Sequence, residues 1–183
     1  MNDQIVIIGG GPAGTLAANR LRHAPGAAGH RILVIDRTDP RDRELDLLVS
    51  LGIYGPGSLQ PPENLRLRDG IGRRLAEVAT IDTDRKEVCL TDGTTVPYRV
   101  LVLATGRHRL PPTMAGRPLT IAPDGLPSTS RADIYAVVPG RARRWPAVER
   151  PVQAQVEHLV SGVIRYLEGR GPVGGDIANT AAG

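Results

Sequence analysis

Ile5-Val6-Ile7-Ile8-Gly9-Gly10-Gly11-Pro12-Ala13-Gly14 decides how this chain is read. Four apolar residues predict a strand. Three glycines follow at the first, third and sixth places of G-x-G-x-x-G, and Thr15 to Arg22 then reads as a helix. Strand, glycine turn and helix in this order form a cradle for a dinucleotide. Gly9 lets the chain turn sharply at the strand end. Gly11 carries no side chain to hold a pyrophosphate off the backbone. Gly14 lets the helix lie close on the sheet. The helix N-terminus presents free N–H groups and the positive end of its dipole to the phosphates.

The next signal lies one strand later. Arg31-Ile32-Leu33-Val34-Ile35 reads as a second strand and ends at Asp36, 22 positions beyond Gly14. A dinucleotide site needs a carboxylate there to accept hydrogen bonds from the adenosine ribose. The plainer alternative is an acid capping a turn, and the glycine turn upstream favours the ribose. Asp36 would also repel a 2′-phosphate, which argues against NADP.

Composition sets the limits. A chain of 183 residues predicts one domain over residues 1–170 and a flexible tail over 171–183. With no Phe, one Trp and four Tyr, the core must come from Leu, Val, Ile and Ala. The net charge of +4 is almost wholly arginine, since Lys86 is the only lysine. Those arginines are spread along the chain, whereas a nucleic-acid surface would cluster them with aromatics. The nearest cluster, Arg141, Arg143, Arg144 and Trp145, is short. Cys89 is the only cysteine, which excludes an intrachain disulfide and a Cys-x-x-Cys pair, and it reads as a small strand residue. The four histidines show no metal-ligand spacing, so no metal is expected. The apolar run at the N-terminus is too short for a signal peptide or a membrane span, so a cytoplasmic location is expected.

Farther along, Arg37 to Pro62 is an excursion with alternating charge, an apolar patch and a turn-rich end. Leu75 to Ile81, Lys86 to Thr91 and Thr94 to Tyr98 read as three strands separated by turns, the last of them Asp92-Gly93, and predict an antiparallel meander. Val100-Leu101-Val102-Leu103 suits a central parallel strand ending in Ala104-Thr105-Gly106. After a proline-rich stretch, in which Leu119 to Ile121 could form a short strand, Ile134 to Val138 is the last strand. Gln153 to Leu167 is an amphipathic helix.

The series VIIGGGPAG, VID and RRLAEVATIDTDRKEVCLTDGTTVPYRVLVLATG resembles the FAD-binding domain of the two-dinucleotide-binding-domain flavoproteins. These are the pyridine nucleotide-disulfide oxidoreductase-like enzymes, which include type II NADH dehydrogenases, sulfide:quinone reductases and ferredoxin reductases. LTIAPDGLPSTSRADIYAV and PVQAQVEHLVSGVIRYLEG resemble the return to that domain and its closing helix, so the likeness runs from about Asp3 to Gly169. It implies an α/β fold: a Rossmann-like FAD-binding domain with a central parallel sheet, a three-stranded antiparallel meander and a closing C-terminal helix. Its cofactor would be FAD. Carried over by position, Gly9, Gly11 and Gly14 hold the pyrophosphate, and Pro12 and Ala13 offer backbone at the helix start. Asp36, with Arg37 beside it, meets the adenosine ribose. Val78 meets adenine through its backbone, and Ala104-Thr105-Gly106 passes beside the cofactor.

Three departures shape the functional expectation. Only 26 residues separate Gly106 from Asp133, where the family inserts a complete NAD(P)H-binding domain. The family writes IYAxGD, with an Asp toward the flavin ribityl chain, whereas here Ile134-Tyr135-Ala136 leads to Val137-Val138-Pro139. The family's C-terminal domain is expected to be missing too, and Cys89 alone cannot form a redox cysteine pair. The first expectation is a small single-domain flavoprotein oxidoreductase in a biosynthetic pathway, reduced by a partner, by free NAD(P)H or by its substrate. The alternative is a non-redox catalyst (a cyclase or isomerase) or an accessory binding protein that keeps the scaffold. A third reading has the turn bind NAD. Expected partners are a small-molecule substrate and a protein or second copy covering the face left by the missing domain, with no nucleic acid and no membrane. His108 is the best candidate for a titratable group near the flavin, although an exposed loop histidine is the plainer reading. Tyr54 and Trp145 are weaker candidates for ring contacts.

Overall fold

The computed structural model describes residues 3–37, 66–106, 113–116, 119–120, 127, 129–137 and 152–170. Five strands form one parallel sheet: β1 (Gln4–Ile8), β2 (Arg31–Asp36), β3 (Ile71–Leu75), β7 (Val100–Leu103) and β9 (Ile134–Ala136), in the order β3-β2-β1-β7-β9. A second sheet holds β4 (Val78–Asp82), β5 (Glu87–Leu90), β6 (Thr95–Pro97) and β8 (Thr113–Ala115), in the order β6-β5-β4-β8. The helices are α1 (Pro12–His23) and α2 (Val152–Leu167), with a short 3₁₀ turn at Pro25–Ala27.

The continuous apolar runs have a simple cause: the parallel sheet is covered on both faces. Side chains alternate along a strand, so each run supplies two cores. Ile5, Ile7, Ile32, Val34, Val100, Val102 and Tyr135 face α1 and α2. Val6, Ile8, Ile35, Leu101, Leu103, Ile134 and Ala136 face the second sheet, where Ile81, Val88, Leu90, Val96 and Tyr98 meet them. The result is three layers: helices, parallel sheet, second sheet. Each fully buried Ile, Leu or Val contributes roughly 1.5–3 kcal/mol. The helix layer lies close because small residues face it. A Cβ on Gly162 would stand 2.7 Å from Cε1 of the buried Tyr135 ring.

The expected meander is present, since β4–β5 and β5–β6 pair antiparallel. Four details differ from the sequence reading. The expected strand from Leu75 to Ile81 is two strands, one in each sheet, and Ala76 N–H donates to the Asp36 carbonyl (2.9 Å) where the chain passes between them. The first of these, β3, is the partly exposed outer neighbour of β2, and its Gly72, Arg73 and Arg74 carry no apolar signal. The short β8 pairs parallel with β4 and extends the meander, from a stretch read as irregular. Leu119 and Thr120 are not a strand; Thr120 instead exchanges hydrogen bonds with Ser130. Helix α1 starts three residues before the expected Thr15 because Pro12 at its first turn suits a helix start. Most of the 37–62 excursion, Ile121 and the 171–183 tail lie outside the described residues.

The only lysine joins the layers at the end of the sheet away from the glycine turn. Lys86 adopts a positive φ of 56° at the end of the β4–β5 turn. Its Nζ lies 3.0 Å from Asp133 Oδ2, just before β9, and 3.3 Å from the Tyr166 hydroxyl on α2. Arg131 Nε stands 3.4 Å from the other Asp133 oxygen. Burial alone would lower the Lys86 pKa, but the bonds to Asp133 and Tyr166 outweigh it and the net shift is upward from 10.5. Burial also raises both tyrosines in the core, Tyr135 to about 12 and Tyr98 further.

Two outcomes follow from this packing. Gly162→Ala gains about 1 kcal/mol of helix propensity but drives a methyl into Tyr135. With overpacking costs of about 1–3 kcal/mol, thermal unfolding should show a net loss. For the raised Lys86, Tyr98 and Tyr135, the folded state holds protons that the unfolded chain has released. Their contribution is complete below the ordinary lysine and tyrosine values and is lost as pH rises through the folded ones. Denaturant titrations should show stability falling above about pH 10, and Lys86→Met should reduce that slope without removing it, because the tyrosines remain.

Candidate functional site

The site is built where the parallel strands end together. Register places Ile8 beside Ile35 and Leu103, Leu103 beside Ala136, and Asp36 beside Leu75. The residues that follow therefore share one edge. Gly9 N–H donates to the Ile35 carbonyl (2.8 Å), and Ala104 N–H donates to that of Ile8 (2.8 Å).

The three motif glycines have three different reasons. Gly9 has φ +108°, and a Cβ there would collide with the Ala104 carbonyl. Gly14 lies on the first turn of α1, and a Cβ there would collide with the Gly9 carbonyl. Both are dictated by the protein's own packing. Gly11 is not. It is the N-cap of α1 with φ −73° and ψ −174°, a conformation open to any residue, and among the described residues nothing lies within 4 Å of where its Cβ would be.

The start of α1 fits an anion. Gly11 offers no side-chain cap, the first turn has no acid, and Pro12 occupies the first helical position. The first intrahelical bond runs from Thr15 N–H to the Gly11 carbonyl (2.9 Å). The N–H groups of Ala13 and Gly14 precede it at the positive end of the helix. The far end carries Arg20, Arg22 and His23, which complement the negative end. A groove along that flank is lined by Leu16, Asn19, Arg20, His23, Arg66, Leu67 and Arg68, away from the glycine turn. Its polar groups bond largely to one another: Asn19 to Arg66 O and Arg68 N, and Arg68 to His23.

Asp36 is 4% exposed. Oδ2 accepts the Gly10 N–H at 2.7 Å and Oδ1 accepts the Arg37 N–H at 2.7 Å. The carboxylate thus braces the glycine turn from the neighbouring strand. Arg37 is half exposed and pairs with Glu77 (3.0 Å). Glu77 immediately precedes Val78, which opens β4 opposite Leu90 and packs on the inter-sheet core. The structure thus brings together Gly9 to Gly14, Asp36, Arg37 and Ala104 to Gly106, with Val78 one step beyond the Arg37–Glu77 pair. Gly106 has φ +81° and open space about its Cα. His108, Tyr54 and Trp145 lie outside the described residues.

Sequence reasoning missed Gly10, Thr15 and Glu77. Gly10 stands at a place the G-x-G-x-x-G motif leaves open. Thr15 is 1% exposed, and its hydroxyl donates to the Gly10 carbonyl (3.1 Å). The available signal was a polar residue in the first turn of a helix that had to face the sheet. Among the described residues, no group of three or more His, Cys, Asp or Glu is placed to hold a metal, and no helix is long and apolar enough to cross a membrane.

The different reasons for the glycines can be separated by substitution. Gly11→Ala should cost no more than about 1 kcal/mol in thermal unfolding, the loss of a favourable N-cap residue. Gly14→Ala should cost about 1–3 kcal/mol or more from overpacking against the Gly9 carbonyl.

A sequence profile of the pyridine nucleotide-disulphide oxidoreductases matches residues 3–137. Among solved structures, the chain is similar to a ferredoxin reductase from Rhodopseudomonas palustris at 31% identity, covering 57% of this chain and 26% of that one, with a TM-score of 0.43. It is similar to the putidaredoxin reductase–putidaredoxin complex at 30% identity, covering 61% and 28%, with a TM-score of 0.42. A sulfide:quinone oxidoreductase from Aquifex aeolicus follows at 24% identity, covering 57% and 24%, with a TM-score of 0.40. The match spans about a quarter of the length of each of these chains. With its glycine turn, braced acid and three-layer fold within the matched residues, the chain belongs to the pyridine nucleotide-disulphide oxidoreductase family.

Proposed function

We propose that the chain holds FAD along the shared strand edge and serves as the flavin-carrying domain of an oxidoreductase. Gly11 carries the reading. Neither its backbone conformation nor the packing of the described residues demands a glycine there, and the missing side chain leaves the room that a ligand at the start of α1 would need. A pyrophosphate against the start of α1 would need that room. Ala13 and Gly14 N–H groups would donate to its oxygens, and Asp36 would accept from the ribose hydroxyls. Arg37 and Glu77 would flank the adenine end, beside Val78. Ala104, Thr105 and Gly106 would let the cofactor pass close to the backbone. Bound FAD supplies the redox chemistry, while the protein supplies position and electrostatics.

The short connection bears on the electron source. The 26 residues between Gly106 and Asp133 are too few for a nucleotide-binding domain. Electrons would then come from a protein partner, from free NAD(P)H or from the substrate, and a small biosynthetic redox step fits. A second reading keeps FAD, or the scaffold alone, without redox cycling. Its support is Val138-Pro139, where the family places Gly-Asp, so no carboxylate follows β9 at that point. Among the described residues, the large hydrophobics left exposed are Leu75 and Val152, on different elements. A protein partner would therefore have to dock elsewhere than on a broad apolar patch of these residues.

Visible absorbance of the purified protein tests the reading. A flavin spectrum that bleaches with NAD(P)H or with a reduced partner is the expected result. A bound flavin that no reductant bleaches would favour the non-redox reading. Failure to take up added FAD would overturn the cofactor assignment, and NAD binding in its place would identify the ligand as the nicotinamide dinucleotide. Gly11→Trp should lose FAD while unfolding like the wild type, because its ring would enter ligand space and not the core.

A further inference from the structure

From the bonds around Gly10, we infer that Thr15 is a positioning residue that sets the aim of the phosphate-facing turn before any cofactor arrives. The inference rests on FAD being the ligand of the glycine turn. Gly10 is buried and held at both ends. Its N–H donates to Asp36 Oδ2 at 2.7 Å, and its carbonyl accepts the Thr15 hydroxyl at 3.1 Å. Thr15 donates a second time, from its own N–H to the Gly11 carbonyl at 2.9 Å. One residue therefore draws two successive carbonyls toward the helix start. In a planar trans peptide, the C=O and the next N–H point in opposite directions. With the Gly10 carbonyl turned to Thr15, the Gly11 N–H is turned away from it and out of the helix start. Among the described residues, nothing fills the space beside the Gly11 Cα.

The arrangement accounts for a buried threonine near the start of α1. Threonine is a mediocre helix former, and an apolar residue would pack against the sheet equally well. Its hydroxyl satisfies a carbonyl that α1 cannot reach, because Gly10 precedes the N-cap. Gly10 has no side chain and the turn holds three glycines in a row, so its backbone has wide freedom in isolation. Asp36 and Thr15 remove that freedom from opposite sides. A turn already fixed loses less entropy on binding than one that must be ordered by the ligand.

Thr15→Val keeps the shape of the side chain and removes the donor, whereas Thr15→Ser keeps the donor and removes a methyl. FAD affinity is measured on apoprotein by flavin fluorescence, well below each variant's unfolding temperature. Thr15→Val should weaken FAD binding about five- to tenfold, the effect of one hydrogen bond to a buried carbonyl. Thr15→Ser should bind within about twofold of wild type, since the hydroxyl is kept. A role confined to stability would lower the unfolding temperature and leave affinity in place. Equal affinity in Thr15→Val and wild type would overturn the inference, as would equal loss in the valine and serine variants. A wild-type chain that takes up no FAD would refute the cofactor reading instead. The clamp itself then stands or falls on amide exchange of the ligand-free protein. Exchange at Gly10 and Gly11 should be faster in Thr15→Val and not in Thr15→Ser, and unchanged exchange in the valine variant would remove the clamp.

Discussion

The hydrogen bond from Gly10 N–H to the buried carboxylate of Asp36 is the constraint on which the rest of the site depends. It joins the end of β1 to the end of β2 across 26 positions of sequence. A buried carboxylate must find donors, and a buried N–H in a turn must find an acceptor. Each solves the other's problem. The bond also requires the two strands to end at the same height, which the parallel register provides. Close approach of Gly9 to Ala104 adds the end of β7 to the same line. Three chain segments thus converge on one edge.

The layers explain why that edge is firm. The parallel sheet is clamped between α1 and α2 on one face and the second sheet on the other. Its strands have no free face on which to shift register, because a one-residue slip would exchange the two cores. The Lys86–Asp133–Tyr166 group secures the opposite end, tying the β4–β5 turn to the start of β9 and the last turn of α2. Of these two polar fixtures, the Gly10–Asp36 bond aligns β1 with β2 within the sheet, and the Lys86 group ties the layers to one another. A backbone cradle works only when its N–H groups are held to within a fraction of an ångström.

Membership of the pyridine nucleotide-disulphide oxidoreductase family sharpens what is unusual about this chain. The glycine turn, the acid and the meander stand in family order. The connection between β7 and β9 is too short for a second nucleotide domain, and Val138-Pro139 stands where the family writes Gly-Asp. The cradle is kept while parts that would couple it to a nicotinamide are reduced. A fold of this kind can host redox and non-redox chemistry alike, so the function must be argued from the site.

Much of the fold was legible because the three central strands are apolar runs bounded by punctuation. Gly9, Asp36 and Gly106 end them, and Asp92-Gly93 turns the meander. Strand β3 was hidden because outer strands need no apolar signal, and β8 because three residues carry no period. Among the site residues, the glycine spacing and Asp36 were readable because chemistry demands those types at those intervals. What each one does was not. Nothing in the sequence separates Gly11, whose Cβ would meet no described residue, from Gly9 and Gly14, whose missing side chains make room for a neighbouring carbonyl. Nor does it reveal Thr15 as the donor to Gly10. By itself the sequence determined the order of elements and the two-faced core, since these depend on local pattern and composition. The tertiary structure alone decided which backbone groups of the turn are satisfied by the protein, because a hydrogen bond is settled by distance and direction between atoms far apart in the chain.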